Sequence, residues 1–343
     1  MSRSTTENAY AVLLPAFATT ELSDSVRHLL ANGGCSILVG ETRDEYVARE
    51  VSKERKNEET ARTFSHLTVE AAQLAGEVLV ALDQEIGGIC RLHGLTPALP
   101  ANDQLSDMKT EDFERIAAAT AAAARQLGVN CFLAPILDIV TGENPWLSGR
   151  TWSTDPNTVA RISSAYIRGI QSAGVAATAK HFPGFHHIDL DPAIEPDAMV
   201  AESSDSFEPG FIPFAKAIES GVESVMIGPA IVEAFDRDKA ASISPRVIGM
   251  LRQRFGFKGV VMSDDLDSRA TLRGRTVPQV AVDALNAGAD FLLVADVDDQ
   301  LGQVACALCK AVENGGLDES RLADAAARVR TLVKRYNCQE TSI

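Results

Sequence analysis

The chain has 343 residues, and 47 Asp and Glu against 32 Lys and Arg give it a formal net charge of −15 at pH 7. Hydrophobic residues at 45% and charged residues at 23% are those of an ordinary globular chain with room for a substantial core, which excludes a disordered, collagen-like or coiled-coil polymer. The acid excess argues against nucleic acid and against an anionic membrane surface as partners, because both need a basic face. In chain order, the N-terminal Met1–Asn8 lacks the apolar core of an export signal, so a cytoplasmic location is expected. No run of about 18 apolar residues is available to cross a bilayer. Short apolar runs then alternate with longer helical patterns. The strand-like runs are Ala11–Pro15, Cys35–Val39, Val78–Leu82, Cys131–Leu137, Val175–Ala179, Ser224–Ile227, Val260–Met262 and Phe291–Val294. They are apolar on successive residues, as expected of parallel strands covered on both faces. The helical stretches between them include Glu21–Ala31, Phe113–Leu127, Pro156–Ala173, Phe211–Gly221, Pro245–Phe255, Val277–Gly288 and Gln300–Glu313.

Several boundaries carry a local signal. Asp155-Pro156 and Ser244-Pro245 each place a capping side chain before a proline at the first helical position. Gly128, Gly174, Gly221 and Gly288 end helical patterns just before strands. Eight strands alternating with helices predict a (β/α)8 TIM barrel, an α/β fold, spanning residues 1–343 as a single domain with a frayed tail at 337–343. A doubly wound open sheet is the alternative, and the absence of a GxGxxG after the first strand weighs against it. Six cysteines in a chain this long are no disulfide framework. Cys306-x-x-Cys309 sits in an apolar helical setting with no second pair, which favours packing over metal or redox chemistry.

A (β/α)8 barrel does its chemistry at the C-terminal ends of its strands, so the polar residues there are the candidates. Strand three ends in Leu82-Asp83-Gln84-Glu85, with Arg91 eight residues beyond Asp83. Strand four runs into Asp138, with Arg150 in the following loop; strand five runs into Lys180-His181-Phe182-Pro183-Gly184; strand seven ends in Ser263-Asp264-Asp265. Each carboxylate alone could merely cap a helix, but charged groups at four strand ends converge on one cleft. Such a set suits sugar hydroxyls. A retaining glycosidase needs a carboxylate nucleophile about 5 Å from a proton donor, and Asp264 is placed for that role.

These segments, with Leu133-Ala134-Pro135-Ile136-Leu137-Asp138, Gly149-Arg150, Gly259–Leu266 and Asn286-Ala287-Gly288-Ala289-Asp290, resemble glycoside hydrolase family 3, in particular its short single-domain β-N-acetylglucosaminidase branch. The resemblance runs from about residue 10 to 335. It implies a (β/α)8 barrel that cleaves β-linked N-acetylhexosamine or a related amino sugar by a two-step retaining reaction. It also implies Asp264 as nucleophile, Asp83, Arg91, Arg150, Lys180 and His181 as the residues that hold the sugar, a small carbohydrate or glycoside as partner, and no metal or organic cofactor.

The sequence departs from the family pattern at the proton donor. The branch carries an Asp-Ser-His segment in the loop after strand five, and here that segment reads Asp191-Pro192-Ala193. The family's Gly-Gly-Arg reads Ile86-Gly87-Gly88, and the histidine usual after strand six is Pro229. Three readings stay open. His187 with Asp189 or Asp191 replaces the lost dyad, since a neighbouring carboxylate raises and orients an imidazole. Alternatively, the enzyme serves a specialised biosynthetic role on an unusual glycoside with a good leaving group. In the third, the barrel has lost hydrolysis and binds sugar only. The acid excess is concentrated in Asp189–Glu208, which holds seven carboxylates and no Lys or Arg. A solvated loop accounts for that; a preference for a cationic amino sugar over a neutral acetamido sugar is the sharper expectation.

Overall fold

The computed structural model describes residues 3–48 and 51–337. Eight parallel strands run β1 Leu13–Phe17, β2 Ser36–Val39, β3 Leu79–Leu82, β4 Cys131–Phe132, β5 Ala176–Phe182, β6 Ser224–Ile227, β7 Val260–Ser263 and β8 Leu292–Ala295. Neighbours in sequence are neighbours in the sheet, and β1 pairs with β8 at Leu13↔Leu292 and Leu14↔Leu293. The ring closes between β7 and β8 through the parallel bridge Met262↔Phe291 and the bond from Ser263 N to Phe291 O at 2.9 Å. This is the predicted (β/α)8 barrel. Every residue of β2 to β7 is buried, because helices cover the outer face while side chains fill the lumen. That explains why the strands lack alternation.

The helices start where local chemistry sets them. Pro156–Ser172 is capped by the Asp155 side chain accepting from Thr158 N at 2.8 Å, with Pro156 at its first turn. Pro245–Gln253 is capped in the same way by Ser244. Val277–Ala287 ends at Gly288, whose φ of 111° lies in the left-handed region that a side chain resists. Three expected boundaries shift by a turn or less: the second helix is Asp24–Ala31, capped by Ser23, the helix before β4 is Thr110–Gln126, and the helix before β6 is Glu208–Glu219. The fourth strand is much shorter than expected. Regular pairing stops at Phe132, the Ala134-Pro135 peptide is cis, and one further bridge joins Ile136 to Lys180. Proline has no N–H to give the ladder, so the apolar run to Leu137 continues as buried loop. A three-stranded sheet of Met199–Val200, Ile231–Val232 and Asp236–Ala240 lies outside the barrel order and has no counterpart in the sequence reading.

At the N-terminal end of the barrel, Asp290 accepts from Arg252 Nη2 at 2.6 Å, Arg321 Nη2 at 2.7 Å and Val261 N at 3.0 Å. This buried knot ties β7 and β8 to two helices. Cys306 is exposed and Cys309 half-buried on the helix Gln300–Glu313. Of the tail expected to fray, Asn337 is the last residue of the helix Glu319–Asn337; the remainder lies outside the described residues. Among those residues no helix is long and apolar enough to cross a membrane.

Candidate active site

The C-terminal mouth of the barrel holds a cavity of about 450 Å³ whose walls include Glu41, Asp83, Arg150, Lys180, His181, Ala193, Pro229 and Asp264. That volume suits a small ligand. A depression of about 580 Å³ at the opposite end, by Lys258, Arg328 and Arg335, is a shallower groove and holds none of the strand-end residues. The chemistry is therefore assigned to the mouth, where strands three, four, five and seven deliver their charges to one space.

One wall is a fixed lattice of ions. Lys180 Nζ donates to Asp83 Oδ1 at 2.5 Å and to Glu85 Oε1 at 2.8 Å. Arg150 grips Glu85 from the other side, with Nη2 to Oε1 at 2.6 Å and Nε to Oε2 at 3.3 Å. Lys180 and Glu85 side chains are 3% and 0% exposed, so little water competes for these bonds. Burial opposes ionisation of Glu85, but the Arg150 and Lys180 cations outweigh it and hold the carboxyl far below the ordinary range. Burial likewise opposes the charge of Lys180, and Asp83 and Glu85 overcome it, so the ammonium stays protonated. Asp83 is shifted upward, by burial first, with Lys180 pulling against it and Glu85 adding repulsion. The Tyr46 hydroxyl meets both Arg150 Nη1 and Trp146 Nε1 at 3.0 Å, which ties the loop after β4 to the loop after β2.

The second wall carries His181 and Asp264. Asp138 Oδ2 accepts from His181 Nδ1 at 2.8 Å and from His181 N at 2.9 Å, while its Oδ1 accepts from Phe185 N at 2.8 Å. A carboxylate can only accept, so the imidazole proton lies on Nδ1 and Nε2 is turned inward. The Trp146 ring stands 4.5 Å from the His181 ring, centroid to centroid. His181 Nε2 is 3.9 Å from Asp264 Oδ2. Asp264 Oδ1 accepts from Asp265 N at 2.8 Å, whereas Oδ2 is buried without a hydrogen-bond partner. One oxygen of Asp264 is thus anchored and the other is free to form a new bond.

The structure brings together Asp83, Arg150, Lys180, His181 and Asp264 and leaves three expected residues outside the cavity. Arg91 is fully buried behind the wall, bidentate to Glu59 at 2.5 and 2.6 Å, with Nε on the Gly40 carbonyl at 2.9 Å. It holds the end of β2 in place. His187 sits on the outer side of the strand-five loop, its side chain 39% exposed, bonded to Asp189 at 3.0 Å and Glu202 at 2.6 Å. These carboxylates, Asp189 first, raise its pKa. Asp191 turns back on its own loop, with Oδ1 accepting from Ala193 N at 2.9 Å. The loop is docked at both ends. Thr141 N and Gly142 N bond the His186 carbonyl, while Ser268 Oγ and Ala270 N bond the Pro192 carbonyl at 2.6 and 3.0 Å. This clamp leaves Ala193, where the resemblance expects the donor histidine, as an apolar cavity wall.

Sequence reasoning assigned no role to Glu41, Glu85 or Trp146. Glu41 follows β2 by two residues, so the strand-end rule that exposed Asp83 and Asp264 covers it as well. The indispensable position of Glu85 between two cations is visible only in three dimensions.

The glycosyl hydrolase family 3 N-terminal domain matches residues 16–332. The chain belongs to glycosyl hydrolase family 3. A β-hexosaminidase of Nitrosomonas eutropha is 27% identical over 277 residues, covering 78% of this chain and 80% of that protein. One from Hydrogenovibrio crunogenus is 29% identical over 279 residues, covering 78% and 76%. The solved structure of a family 3 β-N-acetylglucosaminidase from Paenibacillus sp. str. FPU-7 superposes with a TM-score of 0.87 at 29% identity. That match covers 98% of this chain and 63% of that one, so the family 3 barrel described here spans under two thirds of that protein.

Proposed function

We propose that this family 3 barrel is a retaining glycoside hydrolase for β-linked N-acetylhexosamine or a related amino sugar, and that it works without a histidine donor from the strand-five loop. Family membership and relatives named β-hexosaminidase support the reaction class. The observation that carries the mechanism is Asp264 on the cavity wall, its Oδ2 without a hydrogen-bond partner and 3.9 Å from His181 Nε2. In the first step Asp264 Oδ2 bonds to the anomeric carbon as the glycosidic oxygen leaves with the bond electrons. In the second, water attacks that carbon, its proton departs to solvent, and Asp264 is released as carboxylate. Asp83, Lys180 and Arg150 present fixed charges to the sugar hydroxyls, and His181, oriented by Asp138, holds the nucleophile's side of the ring.

General acid catalysis contributes about 10²–10⁴-fold, and poor leaving groups need it most. With Ala193 at the donor position and His187 turned outward, turnover is expected to favour aglycones that leave readily. The test is release of the phenol from an activated aryl β-N-acetylglucosaminide by wild type and by Asp264→Ala. Loss of turnover in the variant, with azide restoring it as the α-glycosyl azide, is the expected result. Undiminished turnover in Asp264→Ala removes the nucleophile, and an inert wild type leaves a sugar-binding barrel.

A further inference from the structure

The cavity changes character across Asp264. On one side Asp83, Arg150, Lys180 and His181 line it; on the other the wall is apolar, at Met226, Pro229 and Ala193. Hydrogen bonds join these three residues into one corner. Asp264 N donates to the Ile227 carbonyl at 3.0 Å, so the proposed nucleophile adjoins the end of β6, between Met226 and Pro229. The turn Ser268–Thr271 then ties the two loops to each other. Its Ser268 Oγ and Ala270 N reach the Pro192 carbonyl at 2.6 and 3.0 Å, and its Thr271 Oγ1 reaches the Pro229 carbonyl at 2.7 Å. Phe185 packs so closely behind Pro229 that a Cβ added at Gly228 would lie 2.1 Å from its ring. The corner is therefore fixed before a ligand arrives.

Its polar groups are spent within the protein. Ala193 N donates to Asp191 Oδ1 at 2.9 Å, and the Ala193 carbonyl accepts from Arg269 N at 3.4 Å. Gly228 N donates to the Phe182 carbonyl at 2.9 Å, and the Gly228 carbonyl accepts from Ser242 N at 3.1 Å. Pro192 and Pro229 have no N–H to give, and the Ser268 and Thr271 hydroxyl protons are used on their carbonyls. Asp265 and Asp267, on the adjoining loop, also line the cavity and have interactions of their own; as carboxylates they can only accept. These groups offer a ligand apolar contact and no proton. A second sugar ring against this corner would lose water from its hydroxyls without repayment from the apolar wall. A flat aromatic ring loses nothing polar there and gains apolar burial.

We propose that Ala193, Met226 and Pro229 form an aglycone subsite for an aromatic alcohol, and that the preferred substrate is an aryl glycoside rather than an oligosaccharide. Two independent features meet in that assignment. Ala193 stands where a donor would protonate the leaving oxygen, so the aglycone must depart unprotonated. The C1–O bond then breaks with its electron pair on the phenolic oxygen, the ring delocalises the charge, and the proton comes later from solvent. The same wall that lacks the donor is the one shaped for an apolar ring. This subsite presupposes the glycosidase reading above and narrows its substrate class.

The test measures binding apart from leaving-group chemistry, by calorimetry on wild type, Ala193→Asn and Pro229→Ser. The probes are the slowly cleaved phenyl and methyl 1-thio-β-N-acetylglucosaminides and an S-linked N-acetylglucosamine disaccharide. Wild type is expected to bind the phenyl thioglycoside about tenfold or more tighter than the methyl one, with a more negative heat-capacity change, and tighter than the disaccharide. The phenyl-to-methyl ratio should fall toward unity in Ala193→Asn, whose amide enters the corner from the loop after β5, and in Pro229→Ser, which alters the opposite side. Equal affinity for the two thioglycosides, a ratio unmoved in both variants, or tighter binding of the disaccharide overturns the aryl subsite; cleavage of an activated aryl β-N-acetylglucosaminide by the same wild-type preparation leaves the glycosidase standing. No cleavage, with none of the three probes bound, overturns both.

Discussion

Two regions of the mouth share one cavity and are built on opposite principles. The wall from β3 to β5 is rigid and ionic: Asp83, Glu85, Arg150 and Lys180 hold one another at 2.5 to 2.8 Å, on strand ends that are themselves buried. The loop after β5 is acidic, exposed at His187 and Asp189, and tied down by its backbone rather than by its side chains. The comparison shows which half of the chemistry the fold protects. Asp83, Glu85, Arg150 and Lys180 are locked by mutual charge, so none can change alone. The donor side is held by main-chain bonds that any sequence can make, so its side chains are free to diverge, and Ala193 stands where a donor is expected.

The sharpest break in this contrast is at the proposed nucleophile. Asp264→Ala should lower kcat on an activated aryl glycoside by on the order of 10³–10⁴-fold, read in a steady-state assay, with the thermal midpoint little changed. Next is the ionic wall. Lys180→Met removes one cation from between two buried carboxylates, and breaking such a pair costs about 3–5 kcal/mol. Denaturant unfolding should show that loss at pH 7 and less of it at acid pH, where Asp83 takes up a proton; an unchanged midpoint would mean the wall is solvated. A subtler probe is Gly88, whose added Cβ would lie 2.1 Å from Glu85 Oε2. Gly88→Ala therefore pushes Glu85 from its cations, at about 1–3 kcal/mol.

Glu41 gives a pH-dependent prediction with a definite sign. Its native pKa of about 8 lies above the ordinary 4.5, so the native state binds more protons than the unfolded one between those values. Stability contributed by this group is full below about pH 4.5 and is lost as pH rises toward 8. Glu41→Gln, permanently neutral, should gain on wild type across that window by up to a few kcal/mol, and a constant difference from pH 5 to 9 would deny the shift. Smallest is the loop. His187→Ala should change stability by no more than about 0.5 kcal/mol and should slow activated and poor leaving groups alike. Selective loss on the poor leaving group would return the donor role to His187.

Much of this was legible in the sequence. The barrel followed from eight apolar runs without alternation, and helix starts at Pro156 and Pro245 followed from their caps, because both depend on neighbours within a few residues. The candidates at the ends of strands three, four, five and seven followed from topology alone, and Asp83, Arg150, Lys180, His181 and Asp264 do meet in one cavity. Arg91 shows the limit. Eight residues after Asp83, it has the same chemistry as Arg150, yet it turns behind the wall because Glu59, 32 residues earlier and just past the helix Lys53–Glu58, pairs with it in the core. His187 shows it again, since nothing local reveals that Glu202 and Asp189 will hold its ring outside.

The sequence by itself determined the order of strands and helices and the family to which the chain belongs, because periodicity, caps and strand-end motifs are local and survive in one dimension. Only the tertiary structure decided which charges are neutralised. Pairing depends on distances across strands far apart in the chain, and it left Glu85 saturated, Glu41 Oε1 without a hydrogen-bond partner and Ala193 on the cavity wall.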